Sequence, residues 1–93
     1  MPVESTHARI RTFVLNQFPI ARKRGIGDGD PLLGHGILDS LGILEVVAFV
    51  EREFGITVAD EELVPESFDS IVNIARFVDG KLAGQRGAPA EGG

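Results

Sequence analysis

One pairing in this chain has residue types and spacing that suggest chemistry. Asp39-Ser40-Leu41 stands directly ahead of an apolar run. Most such pairs are helix caps and nothing more, because a short polar side chain satisfies a free backbone N–H at the helix start. A hydroxyl there also sits beside unpaired amides and the positive end of the helix dipole. A phosphate ester on Ser40 would be stabilised by both. Asp39 could hold a divalent cation while such an ester is made, since Mg²⁺ favours hard oxygen ligands.

The other candidates fail on their own terms. His7 and His35 are the only histidines, and neither lies on a patterned face. Both are expected to be exposed to solvent. Asp28-Gly29-Asp30 begins like a calcium loop, but Leu32 and Leu33 occupy positions where oxygen ligands should continue. Gly25, Gly27 and Gly29 follow no strand and precede Pro31, so they make no dinucleotide loop. Asp60-Glu61-Glu62 reads as a solvated helix start. No metal site is expected. With no base, nucleophile and orienting group in one place, an enzyme is the least supported reading.

Elements must hold Ser40 in position. Ser5 or Thr6 can cap a first helix to about Phe18, with Ile10, Val14 and Phe18 on one stripe and Phe13 widening it. Pro19 is expected to end it. Residues 19 to 38 read as a long, glycine-punctuated loop, packed down by Ile26, Leu32, Leu33, Ile37 and Leu38. A second helix should run from Ser40 to about Phe54, capped by Asp39 and closed by Gly55. Its core stripe is read as Ile43, Val47, Val50 and Phe54, flanked by Leu44 and Val46. Asp60 to Leu63 suits a short helical turn. A last helix should start near Asp69 or Ser70, with Ile71, Ile74, Ala75, Val78 and Leu82 on its apolar face and Phe68 stapled back onto it. The expected fold is all-α: a small four-helix bundle of three main helices and one short one, with a long first loop. Residues 1–82 form the domain, and residues 83–93 are expected to be a disordered tail.

Composition narrows the class. The 93 residues are 43% hydrophobic, enough for one small core. The aromatics are six Phe, with no Trp or Tyr, and the net charge is −5. Nucleic acid is therefore an unsuitable partner. The charge is concentrated: from Gly25 to Asp69 there are eleven acidic residues and one base, Arg52. Such a segment favours basic protein partners. There are no cysteines, so neither disulfides nor thiolates come from the chain. Neither a signal peptide nor a membrane span is legible, and a cytoplasmic monomer is expected.

The second helix offers a way to meet a partner. At about 100° per residue, Leu41, Glu45, Ala48 and Arg52 fall opposite the presumed core stripe. Leu41 would then be an exposed apolar residue beside Ser40, with Glu45 one turn on to steer a basic partner.

At this point the chain resembles the acyl carrier protein family. The motifs are Gly36-Ile-Leu-Asp39-Ser40-Leu41, then Glu45 and Val46-Val47, then Glu53-Phe54-Gly55-Ile56. Asp60-Glu61-Glu62-Leu63 and Phe68-Asp69-Ser70-Ile71 continue it, and the resemblance spans about Asp30 to Leu82. It implies that Ser40 receives 4′-phosphopantetheine from coenzyme A, delivered by a phosphopantetheinyl transferase with Mg²⁺. The arm's thiol then carries acyl or aminoacyl groups as thioesters. Asp39 and Leu41 match the motif's aspartate and leucine. Glu45 matches the acid used in docking, and Ala48 belongs to the same face. The implied partners are the transferase, an acyl- or aminoacyl-activating ligase, and downstream synthase or transferase enzymes. Gly42 stands where fatty-acid carriers often have an acid, and Ala48 where they often have Met. Arg52 interrupts the acidic face. These departures point to a specialised route, polyketide, nonribosomal peptide or related. Two rivals predict otherwise. One is an unmodified helical interaction module with a carrier-like fold. The other is a regulatory domain in which Ser40 is only a cap.

Overall fold

Ser5 opens the first helix by accepting the Ala8 N–H on its hydroxyl at 3.0 Å. The computed structural model describes the backbone of residues 5–87 and the side chains of residues 5–84. Among the described residues it forms four α-helices: α1 (Thr6–Gln17), α2 (Pro19–Arg24), α3 (Ser40–Phe54) and α4 (Ile71–Gly87). Two 3₁₀ turns, Asp60–Glu62 and Pro65–Phe68, link α3 to α4, and no strand forms among the described residues. The all-helical expectation is met.

Pro19 ends α1 as expected, but it also starts α2, which the sequence reading took for loop. Proline lacks the N–H that a first helical position leaves unpaired, and its fixed φ suits that position. Arg22, Lys23 and Arg24 lie in the last turn of α2, where the helix dipole favours cations. Gly25 then stops the helix at φ 62°, a left-handed value that costs glycine nothing.

The loop from Gly25 to Asp39 is packed down as expected. Ile26, Leu32, Ile37 and Leu38 are all buried. Its backbone is tied to the start of α4. The Val72 N–H donates to the Asp28 carbonyl at 3.0 Å, and the Leu32 N–H donates to the Asp69 carbonyl. The Asp28 carboxylate is held from the other side by α1. His7 contacts it, and the Arg11 guanidinium donates to it at 2.6 Å. His7 is therefore half-buried and paired, not free in solvent, which corrects the reading of that residue. His35 is exposed. Asp30 accepts the Gly27 N–H at 2.7 Å, so its carboxylate closes a turn.

Partial burial pushes the Asp28 carboxyl up, but the hydrogen bonds and charges of His7 and Arg11 outweigh this and hold it below its ordinary 3.8. A depressed folded-state pKa adds stability that is fully present above the unfolded value. That stability is lost as pH falls through the folded value. Asp28→Asn is therefore expected to lower the melting temperature at pH 7. The gap to wild type should close as the pH is taken below 3.8. Thermal melts at both ends of that range check it, and a gap that persists in acid would contradict a stabilising role for the ionised Asp28 carboxylate.

The core lies where α1, α3 and α4 meet. Ile10, Val14, Val46, Val50, Ile71, Ile74 and Val78 are fully buried there, with Leu32 and Phe68 closing it. On α3 the buried face is Gly42, Val46 and Val50. Ile43, Val47 and Phe54 are only half-buried, and Leu44 is exposed. The core stripe is therefore rotated by roughly 60° from the one read in the sequence. The cause is tertiary: α1 packs on the Gly42 side. Helices α1 and α3 run antiparallel, with Gln17 meeting Glu45, Phe13 stacked on Phe49, and Arg9 paired with Glu53.

Helix α4 begins just after Ser70, whose hydroxyl accepts the Asn73 N–H at 3.1 Å. Phe68 is buried against Phe77, ring centroids 5.5 Å apart, as its staple role requires. The helix continues past its expected end at Leu82 to Gly87, into the segment read as tail. The rest of that segment lies outside the described residues.

Candidate functional site

Ser40 occupies the first position of α3, after a cap made by its neighbour. Asp39 is extended, and its Oδ1 accepts the Gly42 N–H at 2.8 Å. Its carbonyl accepts the Ile43 N–H at 2.9 Å. The amides of Ser40 and Leu41 are left without an acceptor among the described residues. Two free N–H groups and the positive helix end thus lie at the residue that carries the hydroxyl. That side chain is exposed, and its hydroxyl makes no hydrogen bond to the described residues. An outward alcohol beside unpaired amides fits a phosphodiester, whose negative charge those amides would stabilise.

Asp69-Ser70 has the same residue pair ahead of the same kind of helix. Its fate is different. Ser70 is 6% exposed and spends its hydroxyl as the cap of α4. Asp69 accepts the Leu33 N–H at 3.3 Å. In the first pair the aspartate caps and the serine is free. In the second the serine caps and is buried.

Beyond Ser40 the exposed face of α3 is apolar. Leu41 is 64% exposed and Leu44 54%, and Ala48 and Arg52 are exposed beside them. Glu45 is half-buried at the edge of this face and accepts Gln17 Nε2 at 3.3 Å. The structure brings the sequence candidates Leu41, Glu45 and Ala48 together. It adds Leu44, which the sequence reading assigned to the flank of the core. Its spacing from Leu41 and Ala48, three and four residues, was the available signal.

Gly42 lies on the opposite side and is buried. A Cβ there would meet Leu38 Cδ2 at 3.0 Å, Phe18 Cε1 at 3.3 Å and Asp39 Oδ1 at 3.4 Å. Its small size serves packing. An acid at this position would force Phe18 aside and crowd the cap. Gly42→Glu is expected to destabilise the fold by about 1–3 kcal/mol, as overpacking does. Urea unfolding checks it, and an unchanged midpoint would show that the α1–α3 seam yields freely.

No group of three or more metal-binding side chains forms among the described residues. No helix among them is long and apolar enough to cross a membrane.

A family model described as a phosphopantetheine attachment site matches residues 8–78, most of the chain. No curated protein matches. The chain belongs to the phosphopantetheine attachment family and is a carrier domain like those of acyl carrier proteins. Its cofactor is covalently attached 4′-phosphopantetheine. Domains of this family are in general carriers rather than catalysts, and they work with a phosphopantetheinyl transferase and biosynthetic enzymes.

Proposed function

We propose that this carrier domain bears its arm on Ser40 and serves a specialised pathway, polyketide, nonribosomal peptide or related. The free hydroxyl of Ser40 carries the reading. Of the two Asp-Ser helix starts, only this one leaves the serine exposed and unengaged. In loading, the Ser40 oxygen loses its proton and forms a P–O bond to the phosphopantetheinyl phosphorus of coenzyme A, while the pyrophosphate P–O bond breaks and adenosine 3′,5′-bisphosphate leaves. Asp39 keeps the helix start closed through Oδ1, which leaves Oδ2 as the oxygen available to a divalent cation. The Ser40 and Leu41 amides favour the resulting phosphodiester. When attached, the arm supplies the thiol that holds acyl or aminoacyl groups as thioesters.

Docking uses Leu41, Leu44 and Ala48 as the apolar contact and Glu45 as the charge that selects a basic surface. The partners in this reading are the transferase, an activating ligase, and downstream synthase or transferase enzymes. Each contact is weak, and tethering supplies the effective concentration that affinity does not. Ala48 and Arg52 are the residues that turn the reading from fatty-acid synthesis toward a dedicated route. Gly42 drops out of that argument, because it faces the core. The protein is read as a cytoplasmic monomer that performs no chemistry itself. The test is incubation with coenzyme A, Mg²⁺ and a phosphopantetheinyl transferase, read by intact mass. One phosphopantetheinyl increment is expected. No increment, with a transferase shown to be active on another carrier, contradicts the reading.

A further inference from the structure

Helix α2 carries the one run of adjacent cations in this acidic chain. Arg22, Lys23 and Arg24 follow one another, and all three are exposed. Arg22 donates to the neutral Asn16 Oδ1 at 2.7 Å. None of the three pairs with a carboxylate among the described residues. The cations of α1 are placed differently: Arg9 pairs with Glu53 and Arg11 with Asp28. In a chain of net charge −5, the end of α2 is thus a local positive field without an internal counter-ion, and it suits an anion from outside.

The place of α2 in the fold says which anion. Its cap residue, Phe18, lies against Gly42, two residues after Ser40: a Cβ on that glycine would meet the Phe18 ring at 3.3 Å. Its last residue, Arg24, shares an open hollow of about 370 Å³ with His35, five residues before Ser40. The carboxylate in that hollow, Asp30, already accepts the Gly27 N–H at 2.7 Å. Helix α2 therefore lies alongside the chain both before and after Ser40. Along α3 the charge is reversed. Leu41, Leu44, Glu45 and Ala48 bring no cation, and the first one, Arg52, comes twelve residues after Ser40, about 18 Å along the axis.

The reaction at Ser40 brings its own anion. When the phosphopantetheinyl phosphorus of coenzyme A reaches the Ser40 oxygen, the adenosine 3′,5′-bisphosphate half is still attached and must lie over one flank of the helix start. Its 3′-phosphate carries a charge of about −2 at neutral pH. Over α3 that charge would approach Glu45, and over α2 it meets three unpaired cations. We infer that Arg22, Lys23 and Arg24 seat the adenosine 3′-phosphate of coenzyme A during loading, so that the chain itself binds part of the donor that modifies it. The inference rests on Ser40 as the loading site. The guanidinium forks of Arg22 and Arg24 suit paired phosphate oxygens, and Lys23 adds a point charge.

The test compares KM for the donor on the full unloaded chain, wild type against Arg22→Gln/Lys23→Gln/Arg24→Gln. Each is measured with coenzyme A and with 3′-dephospho-coenzyme A, using a phosphopantetheinyl transferase that accepts both. With coenzyme A the variant is expected to raise KM for the donor about tenfold, the scale of a few surface ion pairs together. That gap should shrink as salt is added. With the dephospho donor the two chains should agree. The transferase's own contacts to the 3′-phosphate are common to both chains and cancel in the comparison. A smaller folded fraction of the variant would act on both donors alike, so it cannot mimic the expected pattern. No gap with coenzyme A, or an equal gap with both donors, would overturn the inference, the second because the cations then serve something other than the 3′-phosphate. No loading of the wild type by a transferase active on another carrier overturns the Ser40 reading itself, and the inference with it.

Discussion

Ser40→Ala is expected to abolish loading completely and to leave the fold as stable as wild type. Both halves follow from the division of labour at the start of α3. The cap is Asp39, whose carboxylate accepts the Gly42 N–H. Ser40 is exposed, one residue inside the helix, and makes no hydrogen bond to the described residues. Alanine is also the residue with the best helix propensity, so the helix loses nothing. Had Ser40 been the cap, its loss would cost about 1 kcal/mol. That cost belongs to Asp39→Ala instead. A thermal melt of the two variants therefore separates a modification site from a structural serine. A Ser40→Ala melt well below that of Asp39→Ala would contradict this assignment.

The second large effect lies away from the site. Phe68→Ala is expected to destabilise the domain by about 3–5 kcal/mol. Phe68 is fully buried, packs against Phe77, and closes the core just before α4 begins. Domains are stable by only about 5–15 kcal/mol, and a chain this short belongs at the lower end. The variant should be largely unfolded well below the wild-type melting temperature, and its loading should fall with the folded fraction. Urea unfolding measures it. A loss under about 1 kcal/mol would show that neighbouring side chains collapse into the space.

The three long helices were legible because their apolar spacing and their caps agree, as at Ser5, Asp39 and Ser70. The phase of α3 was not. Ile43, Val47 and Phe54 make as good a stripe on paper as Gly42, Val46 and Val50 do in the fold. Only the packing of α1 against Gly42 decides between them. The same error hid Leu44, which was assigned to the flank of the core and stands in solvent. Helix α2 was missed because Pro19 was read for what it ends and not for what it can begin. His7 was misread because its partner, Asp28, lies 21 residues away across the loop.

Ser40 itself was legible only in part. Its residue pair recurs at Asp69-Ser70, so the pair alone does not identify it. The resemblance to carrier proteins singled it out, and the family match over residues 8–78 supports a carrier domain. What the fold adds is the physical difference between the two serines, one free at a helix start and one used as a cap. The pairing of α1 with α3 had no sequence signal, because the register between two antiparallel helices is a tertiary property. Nothing in the spacing of Phe13 or Gln17 pairs them with Phe49 and Glu45.

The central claim is tested most directly by locating the modification within the loaded chain. After treatment with coenzyme A and a transferase, proteolysis and tandem mass spectrometry should place one phosphopantetheinyl group on Ser40. Ser5, Ser67 and Ser70 should carry none. A wild-type chain that gains no mass, or gains it on a serine other than Ser40, would contradict the account.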